Sequence, residues 1–225
     1  MILNLVFHDV RPDTETLKRK IDVSESYFVE LITKLKELLS NEKVNFDELH
    51  LHFDDGYDSF LTRILPHIKE FPPQDVLLAI YPETIGKKGY ITKENLKEIS
   101  ANGYEIASHG YSHVSFAVEN KKTLPGGTYQ NKPFGRDEVL SEQEIIYQLS
   151  ESKKTLEDWL NKKINKIVIP FGTVNESVIE LTKKYYNTIY TGEKGLDKKN
   201  NPIQKRIEVR NFETVEDAIK KILEN

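Results

Sequence analysis

Seven short apolar runs, each separated from the next by a stretch of helical periodicity or its equivalent, constrain this sequence more than any other feature. The runs are Ile2–Phe7, Leu49–Asp54, Val76–Ile80, Tyr104–Ser108, Lys166–Ile169, Thr188–Thr191 and Arg206–Arg210. Each is the length of a strand. Between the first two, Phe28, Leu31, Ile32, Leu35, Leu38 and Leu39 recur at helical spacing and predict a helix with one buried stripe. Ser141 and Glu144 form a capping-box pattern that opens a long helix through Leu160. Thr92 and Asn175 are placed as N-caps, and Thr214 with Asp217 opens a last helix. Strand-helix alternation of this kind predicts an α/β fold with a mostly parallel, closed or nearly closed sheet. In such sheets reactive side chains gather at the C-terminal ends of the strands.

A length of 225 residues suits a single domain spanning 1–225, with no repeat, low-complexity tract or linker to divide it. Hydrophobic residues make up 38% and charged residues 30%, enough apolar mass for a core. The net charge of −4 gives no support to nucleic-acid binding, and lysine pairs such as Lys162–Lys163 and Lys198–Lys199 read as solvated faces. There is no cysteine, so any metal must be held by His, Asp or Glu. The apolar run at Met1 is too short for a signal peptide or a membrane span, so the expected location, with Met1 as the native start, is cytoplasmic. The stretch from Val114 to Leu140 lacks periodicity and carries Pro125-Gly126-Gly127; it reads equally as a wall of a substrate cleft or a surface excursion.

Two motifs carry chemistry. His52-Phe53-Asp54-Asp55-Gly56-Tyr57 closes the second predicted strand. Neighbouring strand residues point to opposite faces, yet at a strand end a turn permitted by Gly56 lets both carboxylates converge on one pocket. Taken alone, the tripeptide fits a surface turn as well. Ser108-His109-Gly110-Tyr111-Ser112-His113 follows the fourth predicted strand, and histidines four apart can serve one metal. A lone pair of this kind is weak, but His109, His113 and Asp55 all fall just past strand ends. Two histidines and one carboxylate leave open positions on a zinc-like ion, the pattern of catalytic rather than structural sites.

With these motifs in place, the chain resembles the polysaccharide deacetylases, also called NodB-homology or carbohydrate esterase family 4 domains. The matching segments are Phe53–Gly56, Gly103–His109 with Ser112-His113, and Pro170-Phe171-Gly172. The resemblance implies a distorted (β/α)7 barrel. It also implies Asp54 as catalytic base, Asp55, His109 and His113 as metal ligands, and the Phe171 amide as part of an oxyanion hole. Which of the two adjacent carboxylates faces the metal rests on that resemblance. The chain departs from the family pattern twice: Ile167-Val168-Ile169 precedes Pro170 where an arginine is usual, and no histidine follows His113. Because Phe7-His8-Asp9-Val10 ends a strand that precedes the Asp-Asp strand, the chain resembles the circularly permuted branch that includes deacetylases of poly-β-1,6-N-acetylglucosamine. In that arrangement His8 takes the general-acid place; a hydrogen-bonded histidine near the first loop is the other reading. Arg206 is a candidate for orienting the base, or an ordinary strand-edge arginine.

Other aromatics and histidines read as structure: His52 as packing beside the site, His50 as partly exposed, His67 as structural, Trp159 as core rather than a sugar platform. The resemblance implies removal of N-acetyl groups from an amino-sugar glycan or precursor, with one divalent metal, zinc first and cobalt, nickel or iron as other candidates. O-acetyl ester hydrolysis, deformylation of a lipid- or nucleotide-linked sugar, and a non-catalytic carbohydrate-binding role are the competing expectations. Oligomeric state has no sequence signature here.

Overall fold

The computed structural model describes residues 1–116, 128–129, 132–133, 140–172, 174–198, 200–211 and 213–224. Its centre is an eight-stranded, wholly parallel sheet. In chain order the strands are β1 (Ile2–Phe7), β2 (Glu48–Asp54), β3 (Val76–Ile80), β4 (Glu105–Ser108), β5 (Lys166–Val168), β6 (Thr188–Tyr190), β7 (Ile203–Gln204) and β8 (Ile207–Glu208). Their spatial order is β7-β6-β5-β4-β3-β2-β1-β8. The two edge strands β7 and β8 are consecutive in the chain, linked only by Lys205 and Arg206. Such a link spans roughly 11 Å at most, so the two edges must approach and the sheet curls round on itself as a distorted (β/α) barrel.

The seam is tied by other bonds. Asn4 Nδ2 donates to Gln204 Oε1 and to the Lys205 carbonyl, both at 3.0 Å. Ile2 exchanges backbone hydrogen bonds with Asp197.

Six of the seven predicted strands form close to their expected bounds. The seventh is shorter than expected: within Arg206–Arg210 the strand covers Ile207–Glu208, and an unforeseen strand, β7, precedes it. The reason is that Arg206 leaves the ladder and turns its guanidinium into the barrel.

The helices follow from their caps and apolar stripes. Ser24 caps α1 (Glu25–Ser40), Thr92 caps α2 (Lys93–Ala101) and Ser141 caps α3 (Glu142–Leu160). Asn175 caps α4 (Glu176–Lys183) and Thr214 caps α5 (Val215–Leu223). Helix α1 buries Phe28, Leu31, Ile32 and Leu35 against the sheet, each worth about 1.5–3 kcal/mol on leaving water. Phe28 packs edge-on against Phe7, with ring centroids 5.0 Å apart, and Phe7 stacks on Phe53 at 5.8 Å. That trio presses β1 onto β2, the pairing that sets His8 beside Asp54.

Alternation along the strands divides the core in two. Val76, Leu78 and Ile80 of β3 join the large apolar layer beneath the helices. Leu77 and Ala79 instead join Ala107, Val168 and Tyr190 in a smaller cluster on the inner face of the curl. Register places His52 opposite Leu77 and Asp54 opposite Ala79, on that inner face. His52 is buried edge-on against Tyr190 at 4.7 Å, in keeping with a packing role. Trp159 packs against the core under Lys93. His50 is partly exposed beside Glu48, and His67 pairs with Glu25 at the start of α1. Most of Val114–Leu140, including Pro125-Gly126-Gly127, lies outside the described residues; within it Thr128–Tyr129 pairs antiparallel with Lys132–Pro133. Among the described residues, no helix is long and apolar enough to cross a membrane.

Candidate active site

The C-terminal ends of β1, β2 and β4, with the segment after β5, converge on one polar pocket. Asp55 follows β2 with φ 75°, His113 ends the loop after β4 with φ 53°, and Phe171 follows β5 with φ 61°. Left-handed backbone is costly for non-glycine residues and collects at functional sites. Gly56, also left-handed at φ 78°, completes the turn that swings Asp55 off the strand. Asp54 therefore stays on the inner face of the barrel while Asp55 reaches the loop layer above it.

Asp55, His109 and His113 come together, their ligand-type atoms all lying within 4.8 Å of one another. Asp55 Oδ1 is 3.6 Å from His109 Nε2 and 3.4 Å from His113 Nε2. His109 Nδ1 lies 2.8 Å from the Val168 carbonyl, which can only accept, so this nitrogen carries the proton and Nε2 presents a lone pair. Burial pushes the imidazoles of His109 and His113 down, to about 4 and about 3, and their positive neighbours add to the effect. Both rings are neutral at physiological pH, the form in which imidazole binds metal. Among the described residues, no donor reaches the buried Asp55 Oδ1. A buried carboxylate oxygen facing two imidazole nitrogens is an arrangement a cation satisfies, so these residues suit a divalent metal.

Below the triad, Asp54 is fully buried and receives Arg206 Nη1 at 2.9 Å from each carboxylate oxygen. Burial pushes the Asp54 carboxyl up, but Arg206, with His109 and His8, outweighs it and holds the group well below the usual carboxylate range. Asp54 Oδ2 lies 3.9 Å from His109 Nε2 and 4.0 Å from His8 Nε2. The structure thus brings together the residues named as site candidates in the sequence: Asp54, Asp55, His109, His113, His8, Arg206 and Phe171. Asp54 lies between the triad and His8, Arg206 grips it from the seam, and the Phe171 ring lies 4.7 Å from that of His113. Gly172 packs so closely on Gly192 that a Cβ would fall 2.4 Å from the Gly192 Cα, which fixes the Phe171 turn.

The family model described as polysaccharide deacetylase matches residues 41–189, well over half of the chain. The chain belongs to the polysaccharide deacetylase family. It is 28% identical over 172 residues to the poly-β-1,6-N-acetyl-D-glucosamine N-deacetylase of Escherichia coli (strain K12), a match covering 65% of this chain and 25% of that protein. It is 25% identical over 132 residues to YxkH of Bacillus subtilis (strain 168), covering 59% of this chain and 39% of YxkH. The match therefore takes in well under half of either curated relative. Among solved structures, a de-N-acetylase from Aggregatibacter actinomycetemcomitans superposes with TM-score 0.73 at 20% identity, covering 98% of both chains. A polysaccharide deacetylase from Bacillus cereus gives TM-score 0.71 at 19% identity, covering 97% of this chain and 68% of that one. These likenesses establish the deacetylase fold.

Three residues of this deacetylase-family chain that touch the site are not evident in its sequence. Arg19, from the loop after β1, donates to the Tyr57 hydroxyl at 2.6 Å, is held by Asp22, and projects its charge toward Asp55 and His113. Tyr81 stacks on the His113 ring at 5.0 Å. Gln148 of α3 bonds the loop between the two histidines. Only Gln148 leaves a trace in the pattern: a polar residue on the helix face of Ile145, Leu149 and Ser152.

Proposed function

We propose that this chain is a metal-dependent deacetylase that removes N-acetyl groups from an amino-sugar-containing glycan or glycan precursor, with Asp55, His109 and His113 holding the metal. The observation that carries the reading is the convergence of two neutral imidazoles and a carboxylate beside an ionised, arginine-held Asp54. A bound divalent ion, zinc before cobalt, nickel or iron, would supply an acidified water and a polarised carbonyl.

Asp54 accepts the proton of the attacking water. Arg206 keeps the carboxylate ionised and fixes its direction, so the base is in its working form throughout the physiological range. The Phe171 amide, in the left-handed turn whose ring lies 4.7 Å from that of His113, is assigned as the donor to the developing oxyanion. His8, at the end of β1 with its Nε2 4.0 Å from Asp54 Oδ2, gives a proton to the departing amine. Arg206 and His8 both come to Asp54, so the proposed base has an arginine and a histidine beside it, which favours catalysis over a binding-only role. The amino-sugar substrate is drawn from the family and from the name of the Escherichia coli relative.

The test is Asp54→Asn. Hydrolysis of N-acetylglucosamine oligomers is expected to fall by about 10²–10⁴-fold, with zinc still bound at wild-type stoichiometry. A near-normal rate in that variant removes Asp54 from the role of base.

A further inference from the structure

We propose that Gln148 is a positioning residue that sets the metal-binding geometry by clamping the loop between His109 and His113; the inference rests on the metal reading above. The two histidines are anchored by different means. His109 is tied to the sheet, its amide donating to the Ile80 carbonyl and its Nδ1 to the Val168 carbonyl, each at 2.8 Å. His113 lies four residues further on, past the end of the strand, in left-handed backbone. Its placement depends on what holds the loop in between.

That holder is one side chain from α3. Gln148 Oε1 accepts from the Tyr111 amide at 2.8 Å and the Ser112 amide at 3.0 Å, and Nε2 donates to Ser112 Oγ at 2.8 Å. Gln148 is buried, so without it the part-buried Tyr111 and Ser112 amides lose their acceptor. The loop is shaped to receive it. Gly110, at φ 72°, has no Cβ, and one built there would stand 3.4 Å from Gln148 Oε1 and 3.3 Å from Pro170. The bonds fix the backbone immediately before His113 and so the distance between the two imidazoles. No other helix side chain among the hydrogen bonds of the described residues reaches the Tyr111 or Ser112 amides.

The test compares zinc affinity, by chelator competition, in the wild type, Asp55→Ala, Gln148→Met and Gln148→Glu. Methionine keeps the length and removes the acceptor; glutamate keeps an acceptor for both amides and for the Ser112 hydroxyl. Gln148→Met is expected to weaken zinc binding about tenfold or more and to speed hydrogen exchange at the Tyr111 and Ser112 amides, with β4 amides unchanged. Gln148→Glu is expected to stay within about threefold of wild type. Gln148→Asn, too short to reach the loop, carries the same expectation as methionine should that variant not fold. Wild-type affinity in Gln148→Met or Gln148→Asn, alongside loss in Asp55→Ala, overturns the clamp and leaves the metal reading standing. Equal zinc affinity in the wild type and Asp55→Ala overturns the metal reading, and the clamp with it.

Discussion

The active-site pocket has two halves built on different plans. The central half, carrying Asp55, His109 and His113, comes from strands β2 and β4, which lie either side of β3 in the middle of the sheet. Its residues belong to short motifs, and the local turns at Gly56 and Gly110 bring them into place. The seam half is different. Arg206 sits in the link between the two edge strands, and His8 at the end of β1 next to that edge. His8 is set beside Asp54 by the pairing of β1 with β2, whereas Arg206 reaches Asp54 only because the sheet curls until its edges meet, an arrangement tied by Asn4 across to Gln204 and Lys205. The central half depends on local backbone geometry; the seam half depends on pairing near the sheet edge and, for Arg206, on closure of the barrel. If the proposed roles hold, metal binding and proton transfer should be separable by mutation.

The sharpest break between the halves pairs Asp55→Ala with His8→Gln. The first is expected to remove bound zinc and bring hydrolysis to background. The second should keep zinc at wild-type stoichiometry while the rate falls about 10²-fold or more. A near-wild-type rate in His8→Gln would move the acid elsewhere.

Arg206→Met probes the same half with a smaller expected effect. Burial, the largest influence on Asp54, raises its carboxyl, and Arg206 is the chief opposing charge. Without the guanidinium the carboxyl should rise, so a new acid limb appears in kcat/KM, moving toward neutral pH. The rate at the optimum is expected to fall about tenfold, as the base loses its orientation as well as its partner. Arg206→Lys retains the charge but not the geometry, and should recover most of the pH profile and less of the rate. Zinc content measured on both variants sets the seam half apart from the central one.

The same division explains what the sequence disclosed. The parallel sheet was legible because β3 reads as an unbroken apolar run and β1 as one interrupted only by Asn4, as strands covered on both faces do. The triad was legible because its members lie in two compact motifs. Arg206 was visible only as a candidate, since its contact with Asp54 spans most of the chain and follows from closure. The last strand was read too long, and the short strand before it missed, for the same reason: Arg206 leaves the ladder to serve the barrel interior. Gln148 and Arg19 carry no motif at all. A glutamine on a helix face declares its partner only when the loop it bonds is in place, and Arg19 acts through Asp22 and Tyr57 from an irregular loop.

The smallest effect tests the central half without substrate or metal. In the metal-free protein, burial holds His109 near 4 and His113 near 3, against about 6.5 in an unfolded chain. As pH falls through the unfolded value, the unfolded chain takes up protons that the folded site refuses. Stability is therefore greatest above about pH 6.5 and declines steadily toward pH 4, at a slope set by the protons bound only by the unfolded state. Asp54 also favours the folded protein above the unfolded carboxylate pKa of about 3.9, and that contribution fades only below this window. Buried His52, likewise held well below its ordinary value, adds to the slope from the barrel interior. Thermal melts of the apoprotein between pH 7 and 4.5 should thus show a falling Tm. His113→Gln, which removes one of these imidazoles at the mouth of the pocket, should make the fall shallower. A slope equal to wild type in that variant would mean that His113 titrates normally in the folded protein and that the central half is wetter than its geometry implies.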